Sequence, residues 1–562
     1  MGRRSGGMAG ILGLVLLMAP VLALVPAMVV DRGWDGTARV SAFPAALVIL
    51  DPLVWRCVRN SAAVALVVTV GSLVVGTGLG MILGRRRFWG RGSLGLLAVV
   101  PVAVSPIWVA PGVVAWIGGE SGWTWLAARS FLGQPGDDWA RWVALVWVGL
   151  AGTTPLVILA TLEGLRRVNP AWADAARVVG AGRRRVWLDV TWPTLRPGLG
   201  RVGGAIFAWI LIEPAGPTIL GLRRTLVVEL TDAAFRSDEA NRAATLAAIA
   251  VVIAVATRSL FARWGGASSG VLSTRFDSSV APRAGFRLGG FAVAVLAGWG
   301  FFALGPVISL GRRLGAAAMG GHPPGWGMVR LILDQATTSE VQGWAINSGL
   351  SASLAIGLDL ALLALLMSGT RGVSRCLAAV PPLAMAVGAL AIPALLATWA
   401  DATARPDLAA ILRVLRTELS PGRSPGLLLV LVLAATRLPG LVQTWAATDH
   451  PTQREQADAA LLAGASTRRA SQLARGGHGL PTLRPTLIAW TWASTDLAAA
   501  WVLTTLDERR TFAPAALDLI GSGAGTLDPR LLGLFVAMTT LRLMGLILLV
   551  GRGRRSGWSL AV

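Results

Sequence analysis

Lysine and tyrosine are absent from this 562-residue sequence, and it holds only two cysteines and three histidines. All 51 basic residues are therefore arginine. An ordinary phosphate-binding P-loop requires its lysine, so an ATPase site of that kind is excluded, as is a Schiff-base lysine enzyme. Cys57 and Cys376 form no CxxC pair, and His322, His450 and His478 are scattered without HExxH spacing. A disulfide framework, a metal site or a resident cofactor is not expected on that pattern. Charge is scarce as well. Only 14% of residues are charged, against roughly 25% in soluble domains, while 54% are hydrophobic and the mean hydropathy is +0.64. That balance is too apolar for a soluble protein.

What the chain has instead is long apolar runs. A spanning helix needs about 20 of them in a row, because hydrocarbon cannot hydrogen-bond the backbone. Twelve stretches qualify, near 8–30, 61–84, 94–117, 142–162, 199–221, 243–261, 288–310, 348–368, 376–400, 425–442, 486–505 and 531–550. Arg3 and Arg4 ahead of the first predict a cytoplasmic N-terminus, and an even number of crossings returns the C-terminus to the same side. Arginine then concentrates in the inner loops, and the outer loops are close to neutral. Topology accounts for the net charge of +22, so no nucleic-acid partner is inferred; the apolar surface implies membrane lipids. The first run exceeds a secretory h-region in length and lacks a clean cleavage site, which favours an uncleaved first span. The charges expected inside spans are Arg542, Glu213, Asp359 and Asp496.

The sequence repeats itself. Pro193-Thr194-Leu195-Arg196-Pro197 recurs as Pro481-Thr482-Leu483-Arg484-Pro485. Asp174-Ala175-Ala176 with Gly180 recurs as Asp458-Ala459-Ala460 with Gly464. Asn60-Ser61 is echoed by Asn347-Ser348, and Trp209 and Glu213 by Trp492 and Asp496. The order is preserved and each unit holds six spans, so the repeat is parallel rather than inverted. The expected organisation is a first unit at 1–262, a Gly/Ser-rich linker at 263–287 and a second unit at 288–562.

The loop between spans four and five, 169–197, carries the most information, together with its twin at 451–485. Asn169-Pro170 suits a helix start, an alanine-rich turn follows, and Gly180 and Gly182 stop it. A second amphipathic stretch places Val186, Trp187 and Val190 opposite Arg183–Arg185, and Pro193 is expected to end it. The product is a helix-turn-helix elbow with a small-residue face suited to a partner groove, where Asp174 caps backbone or meets an arginine. At these residues the chain resembles the permease subunits of type I, binding-protein-dependent ATP-binding-cassette importers, whose loop signature is Glu-Ala-Ala, three residues, Gly, then a hydrophobic-x-Pro ending. Asp174, Ala175, Ala176, Gly180 and Pro193 match it with Asp for Glu, as do Asp458, Ala459, Ala460, Gly464 and Pro481, although the second copy is longer between its Gly and its Pro.

That resemblance implies an all-α, MetI-like polytopic fold with two tandem six-helix bundles in the bacterial inner membrane. Its two-unit form is most similar to ferric-iron and thiamine permeases. It implies that the two loops dock into a separate ATPase dimer that uses the ATP, that a periplasmic or lipid-anchored binding protein delivers the solute, and that this chain is a permease and not an enzyme. Glu213 and Asp496, at matching repeat positions, are expected to line or gate the translocation path, with Pro214 and Pro217 breaking the helix there; intramembrane charges usually face protein or water. Asp359 has no twin and reads as structural. Gly76, Gly80 and Gly84 form a small-xxx-small stripe for close packing. The rival reading is an ion-coupled secondary transporter with parallel repeats, in which Glu213 and Asp496 would be the coupling acids.

Overall fold

The computed structural model describes residues 2–32, 38–85, 88–117, 138–168, 170–236, 239–266, 285–318, 334, 338–365, 380, 382–402, 406–419, 425–448, 483–504, 510–522 and 530–550. Among these the regular structure is helical apart from one small antiparallel hairpin. In chain order come α1 (Gly2–Val29), β1 (Val30–Arg32), β2 (Ala38–Val40), α2 (Phe43–Leu50), α3 (Pro52–Arg85), α4 (Arg91–Val99) and α5 (Pro106–Ile117). The next group is α6 (Asp138–Arg166), α7 (Pro170–Val178), α8 (Arg183–Val186), α9 (Trp192–Leu211), α10 (Ala215–Ile219), α11 (Leu226–Phe235) and α12 (Ala240–Gly265). The remainder are α13 (Phe286–Ala318), α14 (Ser339–Leu365), α15 (Pro382–Ala402), α16 (Pro406–Leu419), α17 (Pro425–Thr448), α18 (Leu483–Ala493), α19 (Ala498–Thr504), α20 (Phe512–Ser522) and α21 (Arg530–Val550).

Seven of the described helices are long and apolar enough to cross a bilayer, and a bent pair makes an eighth. Leu17–Val29, Pro382–Pro393 and Leu427–Pro439 are shorter apolar helices. The chain is an all-α polytopic membrane protein. The described parts of the twelve expected runs are largely helical, but three runs are interrupted. The fifth breaks between Leu211 and Ala215. The third folds by 104° between Arg91–Ala103 and Pro106–Trp116. Pro106 bars Ser105 from the α region, and Val104 is extended at φ −88°, ψ 126°. The eleventh stops at Ala493 and resumes at Ala498. A further correction concerns arginine. Arg437 lies within α17, and Arg201 and Arg258 lie within α9 and α12, so Arg542 is not the one arginine inside the helical segments.

Small residues set how closely the helices approach. Ideal Cβ atoms on Gly76 and Gly80 would lie 2.6 Å and 2.7 Å from the Cβ atoms of Val157 and Thr161, so the α3 stripe has α6 pressed against it. Ser72 and Thr153 share a buried 2.7 Å hydrogen bond across the same seam, the polar contact favoured where no water competes.

Two contacts far apart in sequence mirror each other. Helix α13 lies on α4 and α5, and a Cβ on Gly112 of α5 would sit 2.7 Å from the Pro306 carbonyl oxygen. Helix α1 lies on α15, where a Cβ on Gly388 would run into the Pro20 carbonyl oxygen. The α13 contact is fixed further by Trp299 Nε1 donating to the Ala98 carbonyl at 3.1 Å and by Trp147 stacked on Phe302 at 4.5 Å. Aromatic pairs of this kind add about 0.5–1.5 kcal/mol beyond burial.

Two neighbouring glycines of α3 should respond oppositely to alanine. Gly80→Ala forces its Cβ against Thr161 and lowers the melting temperature of the purified protein. Gly78 has nothing within 4 Å of a Cβ, so Gly78→Ala stabilises by roughly 0.5–1 kcal/mol through helix entropy. Equal shifts from both would remove the glycine stripe from the packing account.

Candidate functional site: a surface elbow and two interrupted helices

The loop 170–191 folds as an elbow on one end of the bundle. Helix α7 begins at Pro170, where a missing N–H is harmless. It ends in a paired carbonyl closure: Ala181 N donates to Ala176 O and Gly180 N to Arg177 O, both at 2.9 Å. That closure needs a left-handed residue at its centre, and Gly180 supplies it at φ +86°. Asp174 binds Arg177 one turn on at 2.6 Å; both are solvent-exposed, so the pair contributes only about 0–1 kcal/mol. Ala175 is exposed and Ala176 half-buried. Among the described residues the apolar side chains at the tip are open: Val178 is 87% exposed, Val179 88% and Trp172 46%.

Pro193 does not end the second arm. Helix α8 runs through a π-helical turn at Trp187–Thr191 into α9, with Pro193 in its first turn. The widened turn already departs from i→i−4 bonding, and a proline in the first turn fits there. One rod therefore reaches from Arg183 to Leu211. Its elbow end is clamped by α3: Arg85 donates to Thr191 Oγ1 at 3.0 Å, and its guanidinium lies 5.1 Å over the Trp187 ring. Asp458, Ala459, Ala460, Gly464 and Pro481 lie outside the described residues.

The far end of the rod holds the first interrupted helix. The chain leaves α9 at Ile212, φ −135°, and re-enters helix at Ala215. Glu213 fills the break. It is 9% exposed, and its carboxylate accepts from Ala215 N at 3.1 Å and Gly216 N at 3.0 Å. It thus satisfies donors that the start of α10 leaves open. It also lines a cavity of about 20 Å³ with Ser61, Pro106 and Trp142, room for about one water.

Asp496 lies in the matching break between α18 and α19, but is held differently. Its Oδ2 pairs with Arg437 Nη2 at 2.5 Å, and the same nitrogen donates to the Trp492 carbonyl at 3.3 Å. Arg542 of α21 sits beside it, donating to Thr495 Oγ1 at 2.8 Å and to the Thr495 carbonyl at 3.1 Å, 5.3 Å over the Trp492 ring. Both Glu213 and Asp496 are within the electrostatic reach of Arg542. Asp359 is fully buried, its carboxyl oxygens without a hydrogen-bond partner, in the field of Arg437. The segments that follow the two breaks touch: α10 meets α20, α11 meets α19, and Phe235 meets Trp501 edge-on at 5.8 Å.

Sequence reading marked Asn60-Ser61 and Asn347-Ser348 as repeat landmarks without a task. Their task is the same in both places. Asn60 Nδ2 donates to the Arg224 carbonyl at 3.1 Å, and Ser61 Oγ accepts from Leu226 N at 2.8 Å. Asn347 Nδ2 donates to the Arg510 carbonyl at 3.2 Å, and Ser348 Oγ accepts from Phe512 N at 2.9 Å. Each pair pins the segment after a break and caps the helix that follows.

The described residues thus form an all-α membrane bundle with an external elbow joined by a rod to an interrupted helix. Residues 76–264, about a third of the chain, match the family of binding-protein-dependent transport system inner membrane components. That stretch includes the first elbow and Glu213. The molybdenum transport system permease protein ModB of Escherichia coli is 27% identical over 169 residues, 29% of this chain and 69% of that protein. The molybdate/tungstate transport system permease protein WtpB of Thermococcus kodakarensis is 28% identical over 159 residues, 28% of this chain and 57% of that one. The sulfoquinovosyl glycerol transport system permease protein SmoG of Agrobacterium fabrum is 26% identical over 158 residues, 26% of this chain and 49% of that one. The chain thus spans between half and about two-thirds of the length of these relatives.

Breaking the second interrupted helix is expected to be costly. Asp496→Ala removes the carboxylate paired with Arg437 and should destabilise the protein by about 3–5 kcal/mol, read as a lowered melting temperature in detergent. Arg437→Met combined with Asp496→Leu should recover most of the loss. A single Asp496→Ala variant as stable as the parent would mean that the pair does not hold the break.

Proposed function

We propose that the chain forms the translocation pathway of a bacterial ATP-binding-cassette importer. It lies in the inner membrane with both termini cytoplasmic, as two six-helix units at 1–262 and 288–562 joined by 263–287. The observation that carries this reading is the elbow. Trp172, Val178 and Val179 are exposed at a glycine-locked turn among the described residues, and exposed apolar clusters of this kind are docking surfaces. The partner is a separate ATPase dimer, into which α7 and its counterpart in 451–485 fit as coupling helices. A periplasmic or lipid-anchored binding protein supplies the solute on the opposite face.

The chain does no covalent chemistry in this scheme. Closure of the ATPases displaces the elbow, the α8–α9 rod carries the displacement to the break at Ile212, and the two breaks open or close the path. Glu213 and Asp496 act there by holding two interrupted helices in register. The repeated Asn-Ser tethers and the mirrored α1 and α13 contacts support the two-unit division. For the solute, the molybdate and tungstate permeases among the relatives favour a tetrahedral oxyanion. No comparison supports the ferric iron or thiamine expected from the two-unit form.

Gly180→Val tests the reading. A β-branched residue at φ +86° is strained by about 1–3 kcal/mol, which should unlatch the elbow. Uptake of radiolabelled molybdate into cells expressing the chain with its ATPase and binding protein should fall by about tenfold or more, with unchanged membrane insertion. Cysteines at 174–178 should cross-link to the ATPase. Parent-like uptake by Gly180→Val, or uptake that survives ATP depletion and collapses with an ionophore, would overturn it in favour of ion-coupled transport. Uptake of ferric iron or thiamine in place of molybdate would overturn the solute class alone.

A further inference from the structure

The flank between α3, α9 and α12 carries an apolar groove of about 670 Å³ that neither the elbow nor the interrupted helices use. Its walls include Val74, Gly78, Leu199, Leu260 and Phe261. Val74 is 69% exposed and Leu260 66%, so it opens sideways, where lipid chains lie. At the elbow end it is roofed by Trp192 and Trp264, whose rings are 5.9 Å apart. Trp187 extends the aromatic row at 6.0 Å from Trp192. Tryptophans gathered at one height mark the boundary of hydrocarbon and water.

Two guanidinium groups sit on this roof. Arg196 lies 5.7 Å over Trp264 and Arg85 lies 5.1 Å over Trp187. The Arg196 Nε is buried and makes no hydrogen bond among the described residues. A buried N–H with no acceptor is unfavourable by about 1–3 kcal/mol, so the site favours an acceptor of negative charge supplied from outside. Just beyond stand Arg183, Arg184 and Arg185, opposed by the single carboxylate of Asp189, 4.0 Å from Arg185.

We propose that this groove binds one anionic phospholipid, with an acyl chain between α3 and α12 and its phosphate at Arg196 under the Trp192–Trp264 roof. Two chemistries meet only in such a ligand: a long apolar chain and an anion held at the interfacial level. A free oxyanion or inorganic phosphate would leave the apolar trough unused, and a zwitterionic lipid would leave the arginine field uncompensated. Trp192 is also the first residue after the π turn. A lipid seated here therefore braces the joint between elbow and rod. The inference does not depend on the transported solute or on the ATPase.

The test uses the purified full chain in detergent, titrated with phosphatidylglycerol or phosphatidylcholine and read by native mass spectrometry. The parent should retain one phosphatidylglycerol and prefer it over phosphatidylcholine by about fivefold, the factor expected for one arginine near an anionic lipid. Arg196→Gln should erase that preference, and Arg196→Lys should retain it. Gly78→Leu fills the trough. A Cβ there meets nothing within 4 Å, so the variant folds, which an unchanged melting temperature verifies, and it should lose the bound lipid of either kind. The proposal is overturned if Gly78→Leu binds like the parent, if the parent takes both lipids equally, or if inorganic phosphate displaces the bound phosphatidylglycerol.

Discussion

An interrupted helix in hydrocarbon must bring its own hydrogen-bond partners, and the arrangement of this molecule follows from how it meets that requirement. Unpaired backbone groups have no water to turn to at bilayer depth. The first break is served by a carboxylate folded back onto two amides, those of Ala215 and Gly216. The second is served by an ion pair reaching across from α17, with a second arginine propping the carbonyl of Thr495. Downstream of each break a serine hydroxyl from an earlier helix receives the first amide of α11 or of α20. Buried charge sits near the breaks at Glu213 and Arg542, while buried hydroxyls such as Ser72, Thr153 and Thr161 also line the helix seams.

The breaks are kept in mutual register by the way the ends of the chain are distributed. Helix α1 is packed against α15 and helix α13 against α4 and α5, so each leading helix is seated on the other half of the sequence. A proline carbonyl over a glycine recurs at both crossings, Pro306 over Gly112 and Pro20 over Gly388. Separating the halves would strip both leading helices of their main contacts, which ties the motion of one half to the other without any link through the connecting segment.

Much of this was legible in the sequence, and what was not has identifiable physical reasons. Apolar run length located the helices, because the bilayer imposes it. The repeat pointed to Asn60-Ser61 and Asn347-Ser348, but their partners lie more than 160 positions away, so their role needed coordinates. The 104° fold of the third span was not expected, because its run is apolar throughout; it falls at Pro106, with α13 packed on both arms. Pro193 misled, since a proline reads alike at the end of one helix and in the first turn of the next. Arg437 was missing from the charges expected inside spans because hydropathy cannot register that its charge is answered by Asp496. The elbow was legible because its signals, Pro170, the alanines and Gly180, are all local.

The continuity of α8 into α9 has a mechanical consequence. From Arg183 to Leu211 the chain is a stiff spar about 40 Å long at 1.5 Å per residue, pivoted near its outer third where Arg85 grips Thr191. A small sideways stroke at the short arm is magnified at the long one. The long arm ends next to Glu213, whose carboxylate holds the amides of Ala215 and Gly216.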